Sequence, residues 1–263
     1  MSTTSLIEFE GQGSWDGAYE MVDCKRALSP SLLPGIDYAL NPYGGCEHGC
    51  IYCYAPEVVH VDWRDWRVVK VRRNMPYRLS KELQGISGTV GIGTVTDPYQ
   101  GAEGRFQLTL RCLEVLRSMG FRIHVHTKSD LILRDLDMIA GMRGEVGITI
   151  TTFDDRYSKA TEPGAPDPMR RLRAMEALVD AHVDTYALVG PILSHLEGKE
   201  EDFVNRIAST GVRRMQVDSL NGRPGLSGRL DRMGIKGSER SVRLIKGYAA
   251  GMGIVVEDVF SRH

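Results

Sequence analysis

Hydrophobic and polar positions follow two alternating patterns from residue 38 onward. Short apolar runs typical of β-strands alternate with longer stretches in which apolar residues recur every three or four positions, as in amphipathic helices. The helical pattern is clear over 105–119 and 168–181, and further helices are predicted near Leu131 and over 238–250. The strand candidates are the runs 38–42, 89–95, 122–127, 146–151, 184–190 and 212–217, with a weaker seventh at 253–256.

Repeated strand-then-helix units predict an α/β fold with a parallel sheet, either a TIM-like barrel or an open doubly wound sheet. In both architectures the active site lies at the carboxyl ends of the strands. No internal repeat, low-complexity tract or linker divides 38–222, which we treat as one domain. Residues 1–37 are expected to form an irregular N-terminal extension, and 223–263 a basic, glycine-rich segment with one closing helix.

Composition and charge narrow the class of protein. The 263 residues contain 33 Lys plus Arg and 34 Asp plus Glu, so the net charge is −1 and no general polyanion binder is indicated. A hydrophobic content of 42% and a charged content of 25% are ordinary for a globular protein with a sizeable core. Neither a bilayer-length apolar run nor a signal peptide is recognisable. We therefore expect a soluble, cytoplasmic protein without membrane contact.

The cysteines are the residues that indicate a functional site. Three of the five cysteines, Cys46, Cys50 and Cys53, form a CxxxCxxC loop directly after the first strand candidate. In a cytosolic chain such clustering favours metal binding or catalysis over disulfides. Three thiolates can hold three irons of a 4Fe–4S cluster and leave the fourth iron open. The alternative is a zinc site completed by His48 or His60, although no second CxxC pair is present.

Six segments in the same order resemble one enzyme family. CxxxCxxC with Tyr52 just before the third cysteine resembles the signature of radical S-adenosylmethionine (SAM) enzymes. The resemblance to the spore photoproduct lyase-like branch covers about residues 38–195 and favours the cluster over zinc. The segments are 41–43 (Asn-Pro-Tyr), 46–55, 96–100 (Thr-Asp-Pro-Tyr-Gln), 127–131 (Thr-Lys-Ser-Asp-Leu), 151–155 (Thr-Thr-Phe-Asp-Asp) and 162–166 (Glu-Pro-Gly-Ala-Pro).

The resemblance implies a fold, two cofactors and a reaction. The fold would be a partial TIM-like barrel of about six parallel strands, with the cluster loop after the first strand. SAM would bind the open iron of a 4Fe–4S cluster, and its reductive cleavage would yield a 5′-deoxyadenosyl radical that abstracts a substrate hydrogen. The electron would come from a partner such as ferredoxin or flavodoxin.

The resemblance also implies which residues contact SAM. Tyr52 would lie beside the adenine, Lys128 would meet the carboxylate, and the region of Thr96 and Asp97 would meet the amino group. An ordinary strand-to-turn pair is the alternative for Thr96 and Asp97, because Asp before Pro is a common turn signal. The complete set of expected SAM contacts is Tyr52, Thr96, Asp97, Lys128, Thr149 and Thr151.

The strand period indicates which side chains face the barrel interior. In the third strand candidate, Ile123 and Val125 point to one side and His124 and His126 to the other. The apolar side should pack on helices, so the histidines should face the interior. The same reasoning gives an interior set of His124, His126, Lys128, Thr149, Thr151, Arg214, Gln216 and Asp218. A polar substrate is therefore expected, either a small molecule or part of a peptide or protein; alternatively, these groups satisfy one another in a buried network.

Four residues are candidates for catalysis. His124, His126 and Arg214 come from the interior set, and Cys24 in the N-terminal extension could act as a hydrogen donor or reactive thiol. The alternative for Cys24 is a buried, inert side chain. The remaining cysteine, Cys112, lies on the apolar face of its predicted helix and should belong to the core.

DNA photolesion repair is the alternative function. The lesion-repairing lyases carry a cysteine near the end of the second strand, whereas the stretch 91–97 has none, which argues against it. The segment 63–78 combines six Arg and Lys residues with three aromatic residues and could bind nucleic acid through phosphate contacts and stacking. The same mixture can instead form a solvated face in which long basic side chains cover apolar surface.

A cluster held by three cysteines should be sensitive to oxygen, because its open iron is accessible. We expect the visible absorbance of the reconstituted cluster to decay during exposure to air. The measurement is the absorbance of anaerobically prepared protein followed with time after air is admitted. Survival of the absorbance through prolonged exposure would contradict the assignment.

Overall fold

The strands form two sheets in the computed structural model, which describes residues 19–220 and 222–258. Seven of these strands overlap the seven predicted apolar runs. The strands are β1 (Tyr19–Val22), β2 (Leu28–Pro30), β3 (Tyr38–Leu40), β4 (Tyr43–Gly44), β5 (Val69–Arg72), β6 (Thr89–Ile92), β7 (Arg122–Thr127), β8 (Gly144–Thr149), β9 (Thr185–Val189), β10 (Arg214–Val217) and β11 (Val255–Asp258).

The larger sheet is an open parallel barrel. Its strand order is β2-β3-β6-β7-β8-β9-β10-β11, and β2 alone among the described strands of this sheet runs antiparallel to its neighbour. The described end strands β2 and β11 do not pair with each other, so the barrel is partial. The predicted TIM-like partial barrel is confirmed. It has seven parallel strands where about six were expected, because the weak seventh candidate pairs in parallel with β10.

The helices connect these strands and cover the outer face of the barrel. Asp167 accepts a hydrogen bond from the Arg170 amide and so caps the helix that Pro168 begins. Ser129 caps a 3₁₀ turn over Asp130–Asp135, which precedes a short α-helix. The helices are α1 (Ala55–Val58), α2 (Met75–Glu82), α3 (Gly101–Phe106), α4 (Leu108–Ser118), α5 (Leu136–Ala140), α6 (Asp155–Thr161), α7 (Pro168–Asp180), α8 (Glu200–Ala208), α9 (Pro224–Arg232) and α10 (Glu239–Gly251), with a second 3₁₀ turn at Ser194–Leu196.

The main core lies between the barrel and its helices. Ile123 and Val125 of β7 are at most 1% exposed and belong to one cluster with Leu113 and Leu116 of α4. Cys112 is fully buried in the same cluster, as its helical position predicts. The helices therefore cover the apolar side of β7 and leave its polar side facing the barrel interior.

The expectation of an irregular N-terminal extension is wrong for its described part. The strand β1 pairs in parallel with β5, which pairs antiparallel with β4, and β2 extends the main sheet. These strands have two to four residues and pair with distant segments, so their local sequence shows no clear period. Residues 1–18, also part of that expectation, lie outside the described residues.

The expectation of a basic segment with one closing helix after residue 222 is also corrected. The described part, 222–258, contains α9 and α10, and its last strand, β11, joins the barrel. The predicted helix over 238–250 corresponds to α10, whose amino end is capped by Ser238. Residues 259–263 lie outside the described residues. None of the helices described has the length and apolar character needed to cross a membrane.

Alanine substitutions at two glycines should have opposite effects on the stability of the protein. Gly144 has a φ of 146°, and a Cβ there would lie 1.9 Å from the carbonyl oxygen of Ile123, so Gly144→Ala should destabilise the protein by about 2–4 kcal/mol. Gly247 lies within α10 with no atom within 4 Å of an added Cβ, so Gly247→Ala should stabilise it by up to about 1 kcal/mol. Urea unfolding midpoints measure both effects. Equal midpoints for the two variants would contradict this backbone geometry.

Candidate active site

A cavity of about 730 Å³ lies at the carboxyl edge of the barrel. The parallel register brings the ends of β6, β7, β8, β9 and β10 together there, as expected for this architecture. Cys46, Cys50 and Cys53 line one wall of the cavity. Polar side chains of the barrel strands and of the loops after them line most of the rest, and they include residues in the amino-terminal halves of β7, β8 and β10: Thr96, Asp97, His124, His126, Thr127, Lys128, Glu145, Thr149, Arg214, Gln216, Asp218, Glu257 and Asp258.

The cysteine loop is held by backbone hydrogen bonds to distant segments. The amide of Cys46 donates to the carbonyl of Trp66 at 2.9 Å, and that of Ile51 donates to Thr161 at 2.9 Å. On another side, the amide of Gly164 donates to the carbonyl of His48 at 3.0 Å. The loop is therefore fixed by two parts of the chain, the segment at Trp66 and the segment 161–164, which lies more than 100 residues away.

Arg229 of α9 provides a further attachment. Its guanidinium donates to the carbonyls of Ile51 and Cys53, the latter at 2.8 Å. It also stacks 3.7 Å from the ring centroid of Trp63, which covers one face of that ring. The partners of Arg229 are 176 and 178 residues away, so the local sequence shows it only as part of a basic, glycine-rich segment.

The thiols of the loop lie in a desolvated environment. Cys46 and Cys50 are each 8% exposed, and burial raises the pKa of all three loop cysteines, that of Cys50 to about 12. These thiols are therefore protonated at neutral pH without metal, and metal ligation would release their protons. A set of three soft sulfur ligands on one cavity wall fits an iron–sulfur cluster, in which each thiolate binds its own iron.

The zinc alternative finds no support in the geometry. In the described residues, no three His, Cys, Asp or Glu side chains lie close enough together to hold a single metal ion. His48 is buried, and its Nδ1 lies 3.4 Å from Asp97 rather than completing a ligand set with the cysteines. His60 is exposed on the surface.

Asp97 joins the end of β6 to the end of β7. Its carboxylate accepts hydrogen bonds from the Thr127 hydroxyl and the Lys128 amide, each at 2.7 Å. It also accepts from the Tyr99 amide at 2.9 Å, the turn hydrogen bond expected of Asp before Pro. The Thr96 hydroxyl donates to the carbonyl of Tyr43 and is 2% exposed. Both residues line the cavity, yet their polar atoms already have partners within the protein.

Tyr52 and Lys128 lie together at the cysteine wall. The Lys128 Nζ is 5.7 Å from the centroid of the Tyr52 ring, and both residues line the cavity. The Tyr52 hydroxyl donates to the buried carboxylate of Glu162. Thr151 donates to the same carboxylate at 2.8 Å and is not part of the cavity lining, whereas Thr149 is.

Glu162 also forms a buried ion pair with Arg171 of α7. Burial raises the pKa of Glu162 against the opposing effect of the Arg171 guanidinium. Glu162 belongs to one of the family-like segments, but no role for it, and no role for Arg171, was predicted from the sequence. An arginine inside an amphipathic helix reads as a surface residue unless its buried partner is known.

His124 and His126 both contact Tyr186, a residue that the sequence analysis also missed. His124 Nε2 is 2.5 Å from the Tyr186 hydroxyl, and His126 Nε2 hydrogen-bonds the same hydroxyl. Glu145 lies 3.1 Å from His124 Nδ1 and accepts a hydrogen bond from Arg214 at 2.5 Å. The two histidines and Arg214 line the cavity, which agrees with the expected polar substrate site. They are also linked to one another through Tyr186 and Glu145, which agrees with the alternative of a polar network.

Cys24 does not belong to the site. It is absent from the cavity lining, and its Sγ lies 3.9 Å from the Sδ of Met75. Asn74 accepts a hydrogen bond from its amide at 2.8 Å. The candidate role of Cys24 as hydrogen donor at the cavity is therefore wrong, because β1 and β2 direct this segment to the outside of the barrel.

Comparisons with known proteins place the chain in a family. Residues 40–207 match the family model of the radical SAM superfamily. The uncharacterized protein MJ0683 of Methanocaldococcus jannaschii is 32% identical over 180 residues, 66% of this chain and 68% of that protein. The uncharacterized protein Rv2578c of Mycobacterium tuberculosis is 33% identical over 228 residues, 79% of this chain and 66% of its own length. The chain belongs to the radical SAM superfamily, whose enzymes use a 4Fe–4S cluster and SAM.

Solved structures with the same fold agree with this assignment. Spore photoproduct lyase complexed with dinucleoside spore photoproduct superposes with a TM-score of 0.69 at 14% identity, over 98% of this chain and 86% of the lyase chain. SuiB of Streptococcus suis bound to S-adenosylmethionine gives a TM-score of 0.56 at 13% identity, over 84% of this chain and 49% of that chain. At these identities the likeness establishes the fold.

Arg229 predicts a measurable effect on the cysteine loop. Arg229→Ala removes two hydrogen bonds from a charged donor, each worth about 1.5–3 kcal/mol, so the loop should hold metal less firmly. After reconstitution with iron and sulfide, we expect iron loss to a ferrous chelator to be about tenfold faster or more. Arg232→Ala is the control, because Arg232 is an exposed residue of the same helix. Equal rates in the two variants would show that Arg229 does not stabilise the loop.

Proposed function

We propose that this radical SAM enzyme reductively cleaves SAM and removes a hydrogen atom from a polar substrate. The observation that carries the proposal is that Cys46, Cys50 and Cys53 share one cavity with polar side chains of the barrel strands and of the loops after them. When bound and reduced, the cluster and SAM supply a 5′-deoxyadenosyl radical. A one-electron reductant such as ferredoxin or flavodoxin would be the redox partner.

The three cysteines are proposed to hold the cluster. Among the described residues no fourth cysteine lines the cavity, because Cys24 and Cys112 lie elsewhere. This ligand set supports a cluster with one iron left for SAM. The Arg229 guanidinium and the Trp66 carbonyl keep the loop in place.

Lys128 and Tyr52 are proposed to bind the two ends of SAM. An ammonium group that faces the cavity beside the cysteine wall suits the SAM carboxylate, and the Tyr52 ring offers a surface for the adenine. Asp97 positions Lys128 through its backbone amide. Thr96 and Thr149 line the same part of the cavity. Thr151 does not line it and is proposed to act indirectly, through its hydrogen bond to Glu162.

A polar small molecule or part of a peptide or protein is the proposed substrate. His126, Arg214, Gln216 and Asp218 line the part of the cavity formed by β7 and β10, and Glu257 and Asp258 of β11 line it as well. Burial raises the pKa of Asp218 to about 6, and Gln216 donates a hydrogen bond to Glu257 at 3.2 Å. This part of the cavity is therefore polar and combines carboxyl groups with the Arg214 guanidinium. An apolar substrate would desolvate these groups without offering them further hydrogen bonds, at a cost of about 1–3 kcal/mol for each polar atom left without a partner.

The surface of segment 63–78 does not favour a nucleic acid substrate. Trp66 is 3% exposed and packs with Cys46 and Ala55, and one face of Trp63 is covered by Arg229. Arg72 donates to the carbonyl of Asn41, and part of the segment forms β5. The two tryptophans therefore stabilise the fold, and Tyr77, which is 52% exposed, is the one aromatic ring of the segment left on the surface.

Formation of 5′-deoxyadenosine tests the proposed cleavage. Protein purified without oxygen, reconstituted with iron and sulfide and reduced with dithionite should release 5′-deoxyadenosine from SAM. Cys46→Ala, Cys50→Ala and Cys53→Ala should each abolish the product, because each removes a proposed iron ligand. Cys24→Ala should retain it, since Cys24 lies outside the cavity. Zinc instead of iron after reconstitution, or product from the three loop variants, would refute the proposal.

A further inference from the structure

Four side chains form a continuous hydrogen-bonded chain that ends in the cavity. Glu145 of β8 lies 3.1 Å from His124 Nδ1, and His124 Nε2 lies 2.5 Å from the Tyr186 hydroxyl. The same hydroxyl contacts His126 Nε2. Glu145, His124 and His126 line the cavity, although His124 is only 5% exposed, and Tyr186 is fully buried behind the two histidines. The hydrogen-bonded chain therefore connects a carboxylate and two imidazoles of the cavity wall through one buried hydroxyl.

The chemistry of the partners fixes the direction of every hydrogen bond. Burial lowers the pKa of His124, so its ring is neutral and carries one proton. A carboxylate only accepts, so this proton is on Nδ1 and Nε2 keeps a lone pair. The Tyr186 hydroxyl donates to that lone pair, and its oxygen then accepts from the Nε2–H of His126. Burial also lowers the pKa of His126, to about 3, so that ring is neutral as well.

His126 Nδ1 is consequently a lone-pair acceptor. No described residue is seen to hydrogen-bond it, and the residue is part of the cavity lining. If every hydrogen bond ran in the opposite direction, His124 Nδ1 would carry a lone pair. That lone pair would face the lone pairs of the Glu145 carboxylate, and no proton would lie between them. The carboxylate thus determines the tautomer of a histidine three hydrogen bonds away.

Neighbouring residues leave room for the Tyr186 ring and orient the Glu145 carboxylate. A Cβ at Gly147 would lie 2.5 Å from the Tyr186 ring, so the ring fits because residue 147 is glycine. Arg214 pairs with the second oxygen of Glu145 and lies 5.3 Å from the centroid of the Tyr186 ring. Arg214 thereby orients the carboxylate so that its other oxygen faces His124.

We propose that His126 Nδ1 accepts a proton from a hydroxyl or ammonium group of the bound substrate and passes it through Tyr186 to His124, so that the hydrogen-bonded chain as a whole acts as the general base. The inference rests on the proposed function and adds a substrate feature, a polar hydrogen-bond donor beside the reacting carbon. His126 is the group that touches the substrate, His124 receives the proton, and Tyr186 and Glu145 are positioning residues.

The proton transfer is balanced within the chain. The substrate proton forms a bond to His126 Nδ1, and the proton on His126 Nε2 moves to the Tyr186 oxygen. The original hydroxyl proton of Tyr186 moves to His124 Nε2. His124 becomes an imidazolium beside the Glu145 carboxylate, while His126 and Tyr186 end neutral. No electron is transferred and no other reactant is needed.

Acylation by diethyl pyrocarbonate tests the tautomers without a substrate, because this reagent attacks an unprotonated imidazole nitrogen. In cluster-loaded protein, peptide mass mapping should show His126 acylated about tenfold faster than His124, the ratio that corresponds to about 1.4 kcal/mol. The rates are normalised to exposed His60. Equal rates, or an unreactive His126, would overturn the proposal.

Two variants should change this pattern in opposite ways. Tyr186→Phe frees the lone pair of His124, whose acylation should rise about tenfold. In Glu145→Gln the amide oxygen stays with Arg214 and the amide NH₂ faces His124, which reverses the chain and protonates His126 Nδ1. Acylation of His126 should then fall about tenfold. An unchanged pattern in either folded variant would contradict the proposal.

Controls separate this proposal from folding and from SAM cleavage. Tyr157→Phe removes another phenol that stacks on a histidine, His195, and should leave the acylation of His124 and His126 unchanged. Circular dichroism and iron content verify folding; if Tyr186→Phe does not fold, Glu145→Gln decides. The variants Tyr186→Phe and Glu145→Gln should still form 5′-deoxyadenosine with dithionite. Absence of that product from the wild type would refute the proposed function, whereas normal product together with equal acylation of His124 and His126, or with an unchanged pattern in the two variants, would refute only the general base.

Discussion

The carboxylate of Asp97 is the interaction on which the arrangement of the site depends. It is the point where the end of β6, the end of β7 and the cysteine loop meet, through Thr127, Lys128 and His48. Neighbouring parallel strands of a barrel are joined along their length, but their ends splay apart unless something connects them. A partly buried carboxylate that accepts from both strand ends fixes the position of Lys128 relative to the cysteine wall.

Buried charges elsewhere in the molecule act in the same way. The ion pair of Glu162 and Arg171 lies behind the cavity wall, and Tyr52 and Thr151 donate to its carboxylate. Such a pair contributes little net stability, because desolvation offsets the attraction, yet removing one partner costs about 3–5 kcal/mol. Its effect is to specify one arrangement of the wall. The pair of Glu145 and Arg214 does the same for the histidines at the base of the cavity.

Segments far from the cysteine loop in the sequence hold this loop in place and add the last strand of the barrel. Arg229 in α9 binds the loop carbonyls, and β11 adds the seventh parallel strand to the barrel. Both belong to a part of the chain whose sequence reads as basic and glycine-rich. Their roles come from partners 40 to 180 residues away, and no local pattern encodes such pairings. The open barrel therefore depends on its carboxyl-terminal segment both for its edge and for its cofactor loop.

The sequence by itself determined the order of the seven parallel strands and the position of the cysteine loop, and the resemblance of its short motifs implied the partial barrel and the cofactors, because periodicity and short motifs are local properties. It also determined that His124 and His126 face inward, since alternate residues of a strand point to opposite sides. Only the tertiary structure decided that Cys24 lies outside the cavity, and only it revealed the partners Tyr186, Glu145, Arg171 and Arg229. Those contacts join residues far apart in the chain, and whether a polar side chain is free or paired depends on neighbours that only folding brings together.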